Sequence, residues 1–221
     1  LCSKYPGIKC LIVRRTYPEL EENHIRKLKE LLYGIATYNE QKKIHTFPNG
    51  STISYRYCRN DADADNYQGS EYDIIFIDEA TQMSEEQTKK IAACNRGVNN
   101  FPKRVYYTCN PGGQGHGYIK RLFIDRHYEA GENPDDYSFT QALVQDNKAL
   151  MKADPEYIKN LEALPPKLRK AWLDGSWDVF EGQFFEEFKD DPNHYEDRLY
   201  THVIEPFNIP AGWKIYRSYD F

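Results

Sequence analysis

Three apolar runs, each ending in residues able to do chemistry, constrain the fold of this chain most. Ile8-Lys9-Cys10-Leu11-Ile12-Val13 leads into Arg14-Arg15, and Ile74-Ile75-Phe76-Ile77 into Asp78-Glu79. Arg104-Val105-Tyr106-Tyr107-Thr108-Cys109 leads into Asn110-Pro111. Four successive apolar residues without polar alternation fit a parallel strand covered on both faces. Helical patterns lie between the runs. Pro18 opens one helix with Thr16 as cap, Ile25, Leu28, Leu31, Leu32 and Ile35 recur at helical spacing, and Gly34 is the stop. Ser84-Glu85-Glu86-Gln87 is a capping box for a second helix running toward Asn95, with Gly97 as its stop. Strands alternating with helices from Ile8 to Leu143, with a fourth strand over residues 137–143, predict an α/β fold: a mainly parallel sheet flanked by helices. Ligands of such sheets bind beyond the carboxyl ends of the strands. Arg14-Arg15, Asp78-Glu79 and Thr108–Asn110 are therefore expected on one rim.

The remaining segments fit around this frame. Ile44–Phe47 and Thr52–Tyr57 flank Pro48-Asn49-Gly50-Ser51, a strong hairpin signal. Asp61, Asp63 and Asp65 have the spacing of a calcium loop, but Asn66 stands where its glycine belongs and Tyr72 where its glutamate belongs, so the stretch reads as a solvated loop. Asp154-Pro155 starts a helix to about Leu164, Pro165-Pro166 break it, and a short helix covers Lys167 to Leu173 with Gly175 as stop. An acidic patch (Glu186, Glu187, Asp190, Asp191) and Pro192 read as a linker. Trp213–Phe221 is again strand-like, and the chain begins at Leu1 rather than Met, which together suggest a piece of a longer protein.

Composition removes several classes. No run approaches the roughly 18 apolar residues of a membrane span, and no basic-then-apolar leader opens the chain. The five cysteines form no C-x-x-C pair and read as reduced, buried thiols. A net charge of −5 (29 Lys+Arg against 34 Asp+Glu) gives no global nucleic-acid signature, yet leaves room for a local basic groove. Lys103-Arg104, Lys120-Arg121-Arg126 and Lys167-Arg169-Lys170 are candidate backbone contacts or plain solvated faces. The histidines show no metal-ligand spacing.

On the rim, Asp78-Glu79 is the most informative pair. An acid at the end of a buried strand can hold Mg²⁺, and a second acid one residue later can orient or deprotonate water attacking a γ-phosphate. The plainer reading is a turn with a solvated Glu79. Thr108 and Asn110 suit hydrogen bonds to a phosphate or water, or a simple Asn-Pro turn. Arg14 and Arg15 suit a phosphate or a solvated strand exit. Gly112-Gly113-Gln114-Gly115-His116-Gly117 falls one residue short of G-x-G-x-x-G, and no G-x-x-x-x-G-K-[ST] occurs in the 221 residues. The glycine run therefore reads as a flexible connector.

Taken together, these motifs resemble the large terminase subunits of tailed bacteriophages. Ile74–Ala80 is similar to their Walker B motif with its catalytic glutamate, and Tyr67-Gln68-Gly69-Ser70-Glu71-Tyr72-Asp73 to the run before it. Thr108-Cys109-Asn110-Pro111 resembles their coupling motif. Leu11–Thr16, the Asn49-Gly50-Ser51 hairpin and Leu173-Asp174-Gly175-Ser176-Trp177 match their layout. The resemblance implies a P-loop NTPase-like fold of the additional-strand, catalytic-glutamate class, incomplete at its N-terminus. It implies a partial ATPase domain over residues 1–180, then a linker and the first strand of an RNase H-like nuclease over 181–221. The implied activity is Mg²⁺-dependent ATP hydrolysis driving viral DNA into a procapsid, with cleavage by the nuclease using Mg²⁺ or Mn²⁺. Implied roles are Asp78 as Mg²⁺-site acid, Glu79 as general base, Thr108 and Asn110 as coupling residues and Asp220 as a nuclease metal ligand. Gln68 stands where some relatives carry an arginine finger, leaving Arg14, Arg15 or Arg96 for that role. Implied partners are double-stranded DNA, the portal protein, the small terminase subunit and further copies in a ring, in the host cytoplasm and on the procapsid, with no membrane. The fragment alone is expected to be inactive. The alternatives are a related helicase-type ATPase and a non-catalytic α/β interaction module.

Overall fold

The computed structural model describes residues 1–178, 194–197 and 201–214. The chain divides into two compact units, Leu1–Glu181 and Gly182–Phe221. In the first, β1 (Lys9–Arg14), β2 (Thr37–Asn39), β3 (Ile44–Thr46), β4 (Thr52–Tyr57), β5 (Ile74–Asp78) and β6 (Arg104–Thr108) form one sheet in the order β2-β3-β4-β1-β5-β6. The pairs β1–β4, β1–β5 and β5–β6 are parallel, while β2 and β3 add an antiparallel meander at one edge. The expected α/β architecture is thus present.

Apolar residues occupy both faces of the central strands. Leu11, Val13, Ile75 and Ile77 point to one side, into a cluster with Ile91, Ile119 and Trp177. Ile8, Cys10 and Ile74 belong to a second cluster with Phe47, and Leu20, Ile25 and Tyr55 form a third. Each fully buried aliphatic side chain contributes roughly 2 kcal/mol, which keeps the β1 and β5 runs covered, whereas β6 at the sheet edge alternates and leaves Tyr106 42% exposed. Opposite the first cluster, α1 (Tyr17–Leu20), a π turn (Glu21–Ile25) and α2 (Arg26–Leu31) run on as one helical rod.

That π turn corrects the sequence reading. It inserts a residue, which rotates the following face by about 100°. Ile25 stays buried, but Leu31 is 71% exposed although it fits the apolar repeat. Three further expectations differ. Residues 61–65 form a short helix, α3 (Asp61–Asp65), because Asn60 caps it by accepting the Asp63 N–H. The first cluster is covered by α4 (Glu85–Ala92), whose N-terminus carries the expected capping box of Ser84 and Gln87, and by α5 (His116–Ile119), which contributes Ile119. Asp61 accepts from Gln87 Nε2, Asp63 from Arg59, and Asp65 pairs with Lys90. Helix α4 ends well before Gly97. Residues 137–143 do not form a strand: the Tyr137 ring packs on Phe123 and Tyr128 instead of entering a ladder. Downstream, α6 (Lys148–Ala153) was not legible in the sequence, whereas α7 (Tyr157–Glu162) and α8 (Pro166–Trp172) follow the proline pattern.

In the second unit the described residues form turns and irregular chain, with Phe207 and Trp213 rings 6.0 Å apart. Asp220, the acidic patch at 186–191 and most of the last strand-like run (215–221) lie outside the described residues.

Candidate active site

Parallel register sets the geometry. Asp78 is the last residue of β5 and lies opposite Thr108, the last residue of β6. One strand the other way, Val13 pairs with Ile77, which brings Arg14 level with Asp78. The three groups expected on one rim do meet there. The Thr108 hydroxyl donates to Asp78 Oδ1. Arg14 Nε lies 3.4 Å from Asp78 Oδ2, and Arg14 Nη2 lies 3.9 Å from Glu79 Oε1. His24 Nε2, carried by the π turn, is 2.8 Å from Asp78 Oδ2.

Glu79 adopts a left-handed backbone, φ 53° and ψ 49°. A non-glycine residue there stores strain of about 1–3 kcal/mol. The kink turns the chain from β5 into a 3₁₀ turn (Ala80–Gln82), so two successive acids aim in different directions. Their environments also separate them. Burial pushes the Asp78 carboxyl up, but hydrogen bonds from His24 and Thr108 and the Arg14 charge outweigh it and hold it below the ordinary carboxylate range. Burial, and then the Asp78 charge, push Glu79 up, against the opposing pull of Arg14 and the Asn110 N–H. The two neighbouring carboxyls are thus pushed in opposite directions, Asp78 toward the ionised form and Glu79 toward the protonated one. Burial, with help from both acids, lifts the Cys109 thiol to about 12, which disfavours its thiolate.

Of the residues expected to couple, Thr108 meets the site with its hydroxyl, on Asp78. Asn110 meets it with its backbone, its N–H toward Glu79 and its carbonyl accepting from Thr81 Oγ1 at 2.9 Å. Of the three arginines, only Arg14 reaches the carboxylates. Arg15 is exposed, and Arg96 follows α4 near the amino-terminal end of β5, where its Nε is 3.4 Å from Ser70 O. His24 was missed because 54 residues separate it from Asp78, and no local pattern announces such a contact.

The glycine run is a packed joint rather than a flexible connector. Gly115 N donates to Thr81 O at 2.8 Å, and Gly112 N to His116 Nδ1 at 3.0 Å. His116 stacks on Trp177 and its Nε2 lies 3.0 Å from the Trp177 carbonyl. A Cβ on Gly115 would sit 2.2 Å from Met83 O, and one on Gly113 2.5 Å from Thr81 O. We therefore expect Gly115→Ala to lose about 1–3 kcal/mol in urea unfolding. An unchanged midpoint would show that the joint yields freely.

Among the described residues, no helix is long and apolar enough to cross a membrane, and no group of three or more His, Cys, Asp or Glu is arranged to hold a metal. The sequence model for the terminase large subunit, T4likevirus-type, N-terminal region matches residues 2–189. No curated protein matches the chain. Among solved structures, the large terminase of a thermophilic bacteriophage superposes with a TM-score of 0.64 at 18% identity, over 88% of this chain and 46% of that one. The same terminase in complex with ADP gives 0.63 at 17% identity, over 82% and 45%, and in complex with ATP-gamma-S 0.58 at 19%, over 79% and 41%. The chain thus spans less than half the length of those terminases, and at these identities the likeness is one of fold. With 188 of 221 positions inside the family match (189 − 2 + 1), the chain belongs to the terminase large subunit family, within its T4likevirus-type N-terminal region.

Proposed function

We propose that this chain forms part of an ATP-hydrolysing DNA-packaging motor, with Asp78 as the Mg²⁺-site acid and Glu79 as the base for the attacking water. The observation that carries the reading is the carboxylate pair at the sheet rim: Asp78, contacted by Arg14, His24 and Thr108, with Glu79 beside it at the left-handed kink, the first carboxyl pushed below its ordinary range and the second above it. The donor set fits Mg²⁺. One ionised carboxylate and a neighbouring hydroxyl are the sparse oxygen ligation this ion uses when phosphates and water complete its shell. Bound there, the ion would neutralise charge developing on the phosphates.

The chain's own residues supply the rest. Glu79 accepts a proton from water at its carboxylate, while Arg14 bridges both acids and limits their repulsion. The Asn110 N–H on Glu79 and the Thr81–Asn110 bond join the acid to the glycine joint and Trp177. This continuous path supports Thr108 and Asn110 as the residues through which hydrolysis moves the loop. Arg14 is the candidate for the arginine role. Family membership supports the wider reading: double-stranded DNA as cargo, a portal and small subunit as partners, a ring of copies on the procapsid in the host cytoplasm, and a following nuclease that uses Asp220 and divalent metal.

The nucleotide's main grip is expected from a Lys-Ser/Thr loop, which is absent from these 221 residues. Among the described residues β6 has β5 as its one strand neighbour, which leaves an edge where such a strand would pair. The chain alone is thus expected to hydrolyse Mg-ATP at least about 10²-fold more slowly than the terminase subunit that carries it, since losing even one preorganised donor to developing charge costs that much. A phosphate-release assay on both decides this, and equal rates would overturn the reading.

A further inference from the structure

We infer that His24 is a positioning residue that fixes the rotamer of the Asp78 carboxylate. The inference rests on Asp78 being the metal-site acid. Three protein groups surround that carboxylate, and they are not equivalent. Thr108 Oγ1 donates to Oδ1. Arg14 Nε lies 3.4 Å from Oδ2, yet it is buried without a hydrogen-bond partner, so it contributes charge and not direction. His24 Nε2 supplies the directional bond to Oδ2, at 2.8 Å. An ionised carboxylate only accepts, which places the proton on Nε2.

The backbone is built to deliver this ring. His24 lies inside the π turn Glu21–Ile25, between two α-helical segments of the same rod. A π turn re-aims side chains and occurs frequently at functional sites. The next residue, Ile25, is buried against Leu20 and Tyr55 and anchors the turn. With Thr108 on one oxygen and His24 on the other, the carboxylate cannot rotate freely. Its remaining lone pairs keep one direction for a cation or its water shell. Partners of this kind typically change metal affinity 10–100-fold.

The test uses the terminase subunit carrying this chain, loaded with a non-hydrolysable ATP analogue, and reads Mn²⁺ affinity by electron paramagnetic resonance. His24→Ala is expected to weaken Mn²⁺ binding about tenfold. His24→Gln is expected to recover most of it, since the glutamine Nε2 amide can donate from the same place. In turnover assays His24→Ala should raise the Mg²⁺ concentration needed for half-maximal rate, while kcat at saturating Mg²⁺ changes far less. Unchanged Mn²⁺ affinity in His24→Ala, or equal losses in the Ala and Gln variants, would overturn the inference. Asp78→Asn separates the two levels. If it too leaves Mn²⁺ affinity unchanged, the reading of Asp78 as metal acid has failed; if Asp78→Asn binds weakly and His24→Ala normally, only the role of His24 has failed.

Discussion

Glu79→Gln is expected to reduce ATP turnover in the terminase subunit carrying this chain by about 10²–10⁴-fold, the range a general base supplies, while leaving nucleotide binding intact. The substitution keeps the side chain's size and its place beyond the left-handed kink. It also keeps an acceptor for the Asn110 N–H, which otherwise holds the carboxylate. What it removes is a group able to take a proton from water. It also removes a negative charge next to Asp78, so the cation site should weaken modestly at most, because Asp78 keeps its own charge. Binding and chemistry therefore separate: kcat falls and nucleotide affinity does not. Single-turnover hydrolysis alongside equilibrium binding of ATP-gamma-S measures both. Turnover near the native rate would remove Glu79 from the chemistry, and lost nucleotide binding would show that it serves the architecture of the site instead.

The site was partly legible in the sequence because its backbone part is local. Asp78-Glu79 had to follow a run that could only be a buried strand, and parallel pairing then brought Arg14 and Thr108 beside it. The Asn-Gly hairpin and the Ser84 capping box were legible for the same reason, since turn and cap chemistry acts over a few residues. His24 and Asp73 were not. Their partners lie 54 and 64 positions away, and a single polar contact leaves no period to detect. Glycine was ambiguous: Gly113 and Gly115 read as freedom, yet carbonyls of Thr81 and Met83 approach too closely for a Cβ. The exposure of Leu31 was hidden by the π turn, which breaks the 3.6-residue repeat without a marker in composition. Residues 137–143 show the converse. Their strand-like composition serves aromatic packing, with Tyr137 stacked on Tyr128 and edge-on to Phe123.

Asp73→Ala is expected to lose about 3 kcal/mol, because it takes a fully buried carboxylate from the Lys9 N–H and from Lys103, which is partly exposed and keeps its bonds to Asn99 and Phe101. Asp73 is fully buried at the start of β5 and ties three strands together. Its Oδ2 accepts the Lys9 N–H at 2.9 Å, at the start of β1. Its Oδ1 lies 3.0 Å from Lys103 Nζ, just before β6. Its backbone carbonyl accepts from Arg104 N at 3.1 Å and from Asn95 Nδ2 at 2.7 Å. Gly97 leaves room for the carboxylate, because a Cβ there would stand 2.2 Å from Oδ1. Gly97→Ala should therefore reproduce part of the loss with Asp73 still present. At roughly 2–4 °C per kcal/mol for a chain of this size, Asp73→Ala should lower the melting temperature by about 10 °C. The effect carries a pH signature. Burial raises the Asp73 carboxyl, but the Lys9 N–H, Lys103 and Asn99 overcome it and hold it below its ordinary value. A depressed carboxylate stabilises the fold above its unfolded pKa of about 4 and loses that contribution as pH falls through the folded value. The gap between native and Asp73→Ala proteins should thus be flat near neutrality and narrow in acid. Unfolding at pH 7 and pH 3 measures it, and a gap that widens in acid would mean that the buried aspartate is neutral in the folded protein.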